Sequence, residues 1–149
     1  MESLVVVADD LAAVRANRFA LRHVACFRVI ATVDGRAPVR ATLASLSPQV
    51  VLVNDMCQRM NVLARIRDAA EAVPDATVVL LSGRLDTAAF DDALDAGAHA
   101  IISRDLPPLA LGTLLREVVR GNVAHVRRRG AARPRPRPLQ VAPAARTSA

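Results

Sequence analysis

Pro48-Gln49-Val50-Val51-Leu52-Val53-Asn54-Asp55-Met56-Cys57 is the stretch on which the fold turns. Four apolar residues run without alternation and stop at Asn54-Asp55. A strand covered by helices on both faces has this signature, and such strands belong to parallel sheets. The same event occurs earlier, where Leu4-Val5-Val6-Val7-Ala8 stops at Asp9-Asp10. Ligands of open α/β sheets bind beyond the carboxyl ends of the strands. Two buried strands ending in acid would gather carboxylates at one edge.

The rest of the chain supplies the alternation such a sheet needs. Phe27–Val33, 76–81 and 98–102 read as further strands. Helical spacing predicts helices over about 11–24, 37–46 and from Asn61, the expected cap of the third. Asp86 should cap a fourth helix that Gly97 ends, and Pro107-Pro108 precede a fifth with Leu111, Leu114, Leu115 and Val118 at i, i+3, i+4, i+7. Five β-α units predict a flavodoxin-like, doubly wound, five-stranded parallel sheet of order 2-1-3-4-5 with helices on both faces.

Composition bounds the function. The chain has 149 residues, 52% of them hydrophobic and 23% charged, which suits one soluble globular domain. No apolar run approaches the length of a membrane span and no leader precedes the first strand, so a cytoplasmic protein without membrane contact is expected. Cys26 and Cys57 form no disulfide framework or zinc spacing, and His23 with Cys26 is too small a set for a metal. All basic residues are arginine. Residues 1–119 hold 12 of them against all 14 acids, a net charge of −2, while residues 120–149 hold 8 and no acid. The basic balance therefore belongs to the end of the chain. From residue 122 the composition is rich in Arg, Pro and Ala, including Arg133-Pro134-Arg135-Pro136-Arg137-Pro138. Such a stretch buries too little apolar surface to order itself and is expected to be disordered over 122–149. It could contact nucleic acid electrostatically and without sequence choice. It is too short and proline-rich to form a helix-turn-helix.

Taken in order, Val5-Val6-Val7-Ala8-Asp9-Asp10, the Asn54-Asp55 exit, Leu80-Leu81-Ser82-Gly83 and Gly97-Ala98-His99-Ala100-Ile101-Ile102-Ser103-Arg104-Asp105 resemble the receiver domain of bacterial response regulators. The likeness covers residues 1–121 and is closest to receivers that precede a DNA-binding domain. It implies an aspartate at the third strand's end that becomes an acyl phosphate, Mg²⁺ held by oxygen ligands, a hydroxyl and a cation that bind the phosphoryl group, and a switching aromatic on the fifth strand. By that resemblance, Asp9, Asp10 and Asp55 are the candidate metal ligands, Ser82 is the hydroxyl and Arg104 stands where the family has Lys. Arg keeps the charge but is planar and larger, and could form a fork with Asp9, Asp10 or Asp55. Ile101 occupies the aromatic position, and the chain has no Tyr or Trp.

The phosphoacceptor position has two registers. Counting from Pro48 places Asn54 there, and an amide cannot form an acyl phosphate. A shift of one places Asp55 there and aligns Met56 with the apolar residue that follows, at the cost of turning a strand side chain to the other face. The loop Cys57-Gln58-Arg59-Met60 lacks the family's Met-Pro-Gly pattern. The expectation is an atypical, non-enzymatic receiver acting as a regulatory protein-interaction module with weak or absent phosphorylation. The rival readings are an active acceptor at Asp55 served by a histidine kinase, and a nucleic-acid-associated protein using the basic tail. The resemblance further implies homodimerisation through the face of helix four, strand five and helix five. No Gly-rich phosphate loop, catalytic triad order or histidine cluster points to a small-molecule enzyme.

Overall fold

A computed structural model describes residues 1–22 and 24–121. The expectations for 122–149 and for His23 lie outside the described residues. Ten elements alternate along the chain: β1 (Glu2–Ala8), α1 (Leu11–Arg22), β2 (Phe27–Asp34), α2 (Arg40–Leu46), β3 (Val50–Asn54), α3 (Arg59–Ala72), β4 (Thr77–Ser82), α4 (Thr87–Ala96), β5 (Ala100–Ser103) and α5 (Pro108–Val119). The strands form one parallel sheet of order β2-β1-β3-β4-β5, as the alternation predicts.

The unbroken apolar strands are explained by two cores, one on each side of the sheet. Val5, Val7, Val51, Val53, Val78, Leu80 and Ile101 pack with Leu43 of α2, Val62 and Ile66 of α3, and Ala93 of α4. Leu4, Val6, Val50, Leu52, Val79, Leu81 and Ile102 pack with Ala20 and Leu21 of α1 and Leu111 and Leu115 of α5. Alternate residues of each central strand thus enter opposite cores, so both faces must be apolar. Each fully buried aliphatic side chain contributes about 1.5–3 kcal/mol.

Local signals set several boundaries. The Asp86 carboxylate accepts from the Ala89 N–H at 2.9 Å and caps α4, and Gly97 ends that helix at φ 124°. Pro108 opens α5, where its missing N–H has no intrahelical partner to lose. Other boundaries differ from expectation. α3 begins at Arg59, with Gln58 in the cap position and making no side-chain cap bond, so Asn61 lies in the first turn instead of capping it. α2 begins at Arg40, not 37: Ala37 precedes Pro38, which disfavours the helical region for it, and Val39 is the non-helical cap residue, its N–H donating to the Asp68 carboxylate at 3.1 Å. β5 begins at Ala100, because His99 binds the edge of β4 on its own. Its N–H donates to the Val78 carbonyl at 2.7 Å and its Nδ1 accepts from the Val78 N–H at 3.0 Å.

α1 and α5 meet without a spacer side chain. A Cβ on Gly112 would collide with Cγ2 of Val24 and come within 3.2 Å of the Ala20 carbonyl. A buried ion pair within α3 puts Arg65 Nε 2.9 Å from Asp68, and the same carboxylate ties α3 to α2 through the half-exposed Arg40, whose Nε lies 3.2 Å from it. Arg65 also donates to the Gly35 carbonyl at 3.3 Å.

Candidate functional site at the sheet's carboxyl edge

β1, β3, β4 and β5 deliver Asp9-Asp10, Asn54-Asp55, Ser82-Gly83 and Arg104 to the same edge of the sheet. Their side chains are used in different ways. Asp10 turns back and accepts from the Ala13 N–H at 2.8 Å, capping α1. Asp9 reaches across to the loop after β3 and accepts from the Cys57 N–H at 2.8 Å.

Asn54 and Asp55 point to different neighbours, as adjacent strand residues must. Asn54 is 5% exposed and belongs to the α1 side. Its Nδ2 donates to Asn17 Oδ1 at 2.6 Å and to the Val7 carbonyl at 3.4 Å. A carbonyl cannot donate, so Val7 decides which end of the Asn54 amide faces it, and Asn17 follows. Asp55 extends the ladder, its N–H donating to the Leu81 carbonyl at 2.9 Å. Its Oδ2 accepts from the Gly83 N–H at 2.7 Å and the Ser82 hydroxyl at 2.9 Å. Ser82 Oγ is equally near the Arg84 carbonyl, but its one proton favours the charged acceptor. The hydroxyl oxygen in turn accepts from the Arg84 N–H at 2.9 Å.

Arg104 does not form the anticipated fork. No ion pair joins it to Asp9, Asp10 or Asp55 among the described residues. Its guanidinium lies over Gly83, where a Cβ would sit 2.9 Å from Nε, so the missing side chain makes room for it. Ile101 is 6% exposed and packed in the core on the α2–α4 side.

The carboxylates do not fit a metal as they stand. No group of three His, Cys, Asp or Glu side chains among the described residues is arranged to hold an ion. One oxygen each of Asp9, Asp10 and Asp55 is directed at a backbone N–H on a different element. Two exposed acids nearby are also committed. The Arg36 guanidinium and backbone N–H bind Asp34 and hold its carboxyl at about 2. The Ala89 N–H, then Arg84, lower that of Asp86.

A cleft of about 290 Å³ opens between α1 and α5 beside this edge. Asp10, Asn54, Asp55 and Arg104 line it together with Asn17. Asp9 and Ser82 do not line it but hold the loop that does. Asn17 was not anticipated: a lone Asn in an Ala-rich helix carries no sequence signal until β3 is placed behind it.

Solved structures share this fold. The signal receiver domain of the response regulator NarL from Mycobacterium tuberculosis superposes with a TM-score of 0.70 at 19% identity, covering 80% of this chain and 97% of that one. The described residues form a response-regulator receiver fold. The receiver domain of RcsB from Salmonella enterica serovar Typhimurium, solved with a phosphomimetic, gives a TM-score of 0.67 at 17% identity over 80% of this chain and 89% of that one. The response regulator domain of CheB from Thermotoga maritima gives 0.66 at 16% identity over 82% and 96%. No family model matches the chain. Among curated proteins, a protein-glutamate methylesterase/protein-glutamine glutaminase 2 of Cereibacter sphaeroides is 34% identical over 124 residues, covering 82% of this chain. The chain spans 33% of that relative's length. Within the receiver fold, Asn54 is the last residue of β3 and Asp55 the first beyond it.

Proposed function

We propose that this chain is an atypical receiver of two-component signal transduction, cytoplasmic and non-enzymatic, which regulates a protein partner with weak or absent phosphorylation. One observation carries the reading: Asp55 already occupies the Ser82 hydroxyl and the Gly83 amide. By the family resemblance that hydroxyl would bind a phosphoryl oxygen. The amide of Asn54, which the strict register puts at the acceptor position, is buried against Asn17 and cannot become an acyl phosphate. The convergent acids are spent on backbone amides, so Mg²⁺ binding in this reading is weak. The hydrolase names belong to full-length relatives of which this chain spans a third, and transfer of that activity is not part of the proposal.

The switching aromatic is replaced by the buried Ile101, so the signal would pass through partner binding without an aromatic toggle. The partner face remains the one the resemblance implies, α4, β5 and α5, serving a regulatory protein or a second copy. The test is exposure of the full chain to acetyl phosphate, and separately to beryllofluoride with Mg²⁺. The expected result is no covalent label and no conformational change. Stoichiometric label that disappears in Asp55→Asn would replace this reading with the active acceptor served by a histidine kinase.

A further inference from the structure

The cleft between α1 and α5 is built differently from a surface dent. Its floor is two amides, Asn17 at 2% and Asn54 at 5% exposure. Once Asn54 Nδ2 has donated to Val7 and Asn17, two polar atoms remain: the acceptor Oδ1 of Asn54 and the donor Nδ2 of Asn17. Neither has a hydrogen-bond partner among the described residues, and neither is sealed from the cleft. Both atoms are open to water in the cleft, so a ligand that displaces that water must pair with them or leave them unsatisfied.

The walls are small and apolar. Ala13 and Ala16 of α1 face Leu111 of α5, and Leu81 closes the back. Short alanine side chains keep the space open. Its volume of about 290 Å³ is at the low end of small-molecule sites, which run from about 300 Å³ upward. The mouth carries Arg104 beside Asp10 and Asp55, so neither a strong anion nor a strong cation is favoured as the whole ligand.

We propose that this cleft binds a fragment-sized, neutral, planar molecule with a donor and an acceptor side by side, the lactam edge of a pyrimidine-like heterocycle. The acceptor of that edge takes the Asn17 Nδ2–H, its N–H donates to Asn54 Oδ1, and the ring lies between the alanine face of α1 and Leu111. The two amide atoms it uses take no part in the Ser82–Asp55 contact, although Asp55 itself lines the mouth.

The probe is uracil, titrated into the full-length ¹⁵N-labelled chain and followed by NMR. Uracil should give saturable shifts of the Asn17 and Asn54 side-chain amides. 1,3-Dimethyluracil keeps the ring and carbonyls but replaces both N–H donors with methyl groups, so it can neither donate to Asn54 Oδ1 nor approach it closely, and should bind at least about fivefold more weakly. Ala16→Leu places a larger side chain in the cleft from an exposed helical position, where leucine is a good helix former, so folding is retained. It should abolish the shifts. Absence of saturable shifts up to the solubility of uracil, equal binding of the dimethylated analogue, or undiminished binding by a folded Ala16→Leu chain would each overturn the proposal.

Discussion

The Asp55 carboxylate and the Ser82 hydroxyl are joined at 2.9 Å, across the exits of β3 and β4, and the same oxygen receives the Gly83 N–H. Ser82 is fully buried, so this is a shielded, charge-assisted contact. Ser82→Ala removes one of the two donors and strands the Arg84 N–H as well. The expected loss is about 1.5–3 kcal/mol, read from urea unfolding. A loss within error of zero would mean that water replaces the hydroxyl and that Asp55 is free to act.

Asn54→Asp tests the amide pair from the other side. The new carboxylate would face the Val7 carbonyl with no proton to give it. Its burial raises the folded-state pKa above the unfolded value, so the folded state binds more protons. Stability of the variant should therefore fall as pH rises through the ordinary carboxylate range, and recover toward acid. Parallel denaturation curves at pH 4 and pH 7 make the comparison; an unchanged difference between variant and parent at the two pH values would contradict it.

Asp68 accepts from the Val39 amide and pairs with Arg65 and Arg40. Removing one partner of a buried pair leaves an uncompensated charge. Asp68→Ala should cost about 3–5 kcal/mol, and adding Arg65→Met should return part of it. A double-mutant cycle measures the coupling.

Gly112→Ala pits helix propensity against packing. Alanine would favour α5 by up to about 1 kcal/mol, but its methyl enters the space of Val24. Overpacking of this kind costs about 1–3 kcal/mol, so a net loss is expected, relieved in the pair with Val24→Ala. A lower midpoint in thermal melts for the single variant and recovery in the pair would bear this out.

Asp34 offers a pH prediction of opposite sign to the Asn54 variant. Its pKa is depressed to about 2 by Arg36. The stabilising contribution is present above the unfolded value of 3.8 and is lost as pH falls toward 2. Asp34→Asn should flatten that part of the stability profile, matching the parent near pH 2 and falling below it at neutral pH, by a small amount since the pair is exposed.

The fold was legible because short unbroken apolar runs that stop at polar residues alternate with helically spaced segments along the chain. Val50 to Val53 have no polar residue to spare, and the helices announce themselves by spacing and by Asp86, Gly97 and Pro108. What escaped was decided by tertiary partners. Asn61 looked like a cap, yet α3 starts two residues earlier. Asp68, distant in sequence, holds the amide of Val39 just before α2. At the candidate site, the residue types at the strand exits could be read from order alone. Where each carboxylate turns could not. Asp10 caps the helix that follows it, a local choice, whereas Asp9 faces Cys57 and Arg104 lies over Gly83 because each of these depends on a backbone amide or a missing side chain on another element. Asn17 was invisible for the same reason.

The short segment after β3 is anchored twice. Asp55 fastens its start to the exit of β4, and the Cys57 amide fastens its middle to Asp9 at the exit of β1. It is therefore a crossbeam over neighbouring strands. Cys57 is exposed, yet its amide proton should exchange with solvent as slowly as one inside a helix. Loosening either anchor would accelerate that exchange, making one surface amide a gauge of tension along the whole rim.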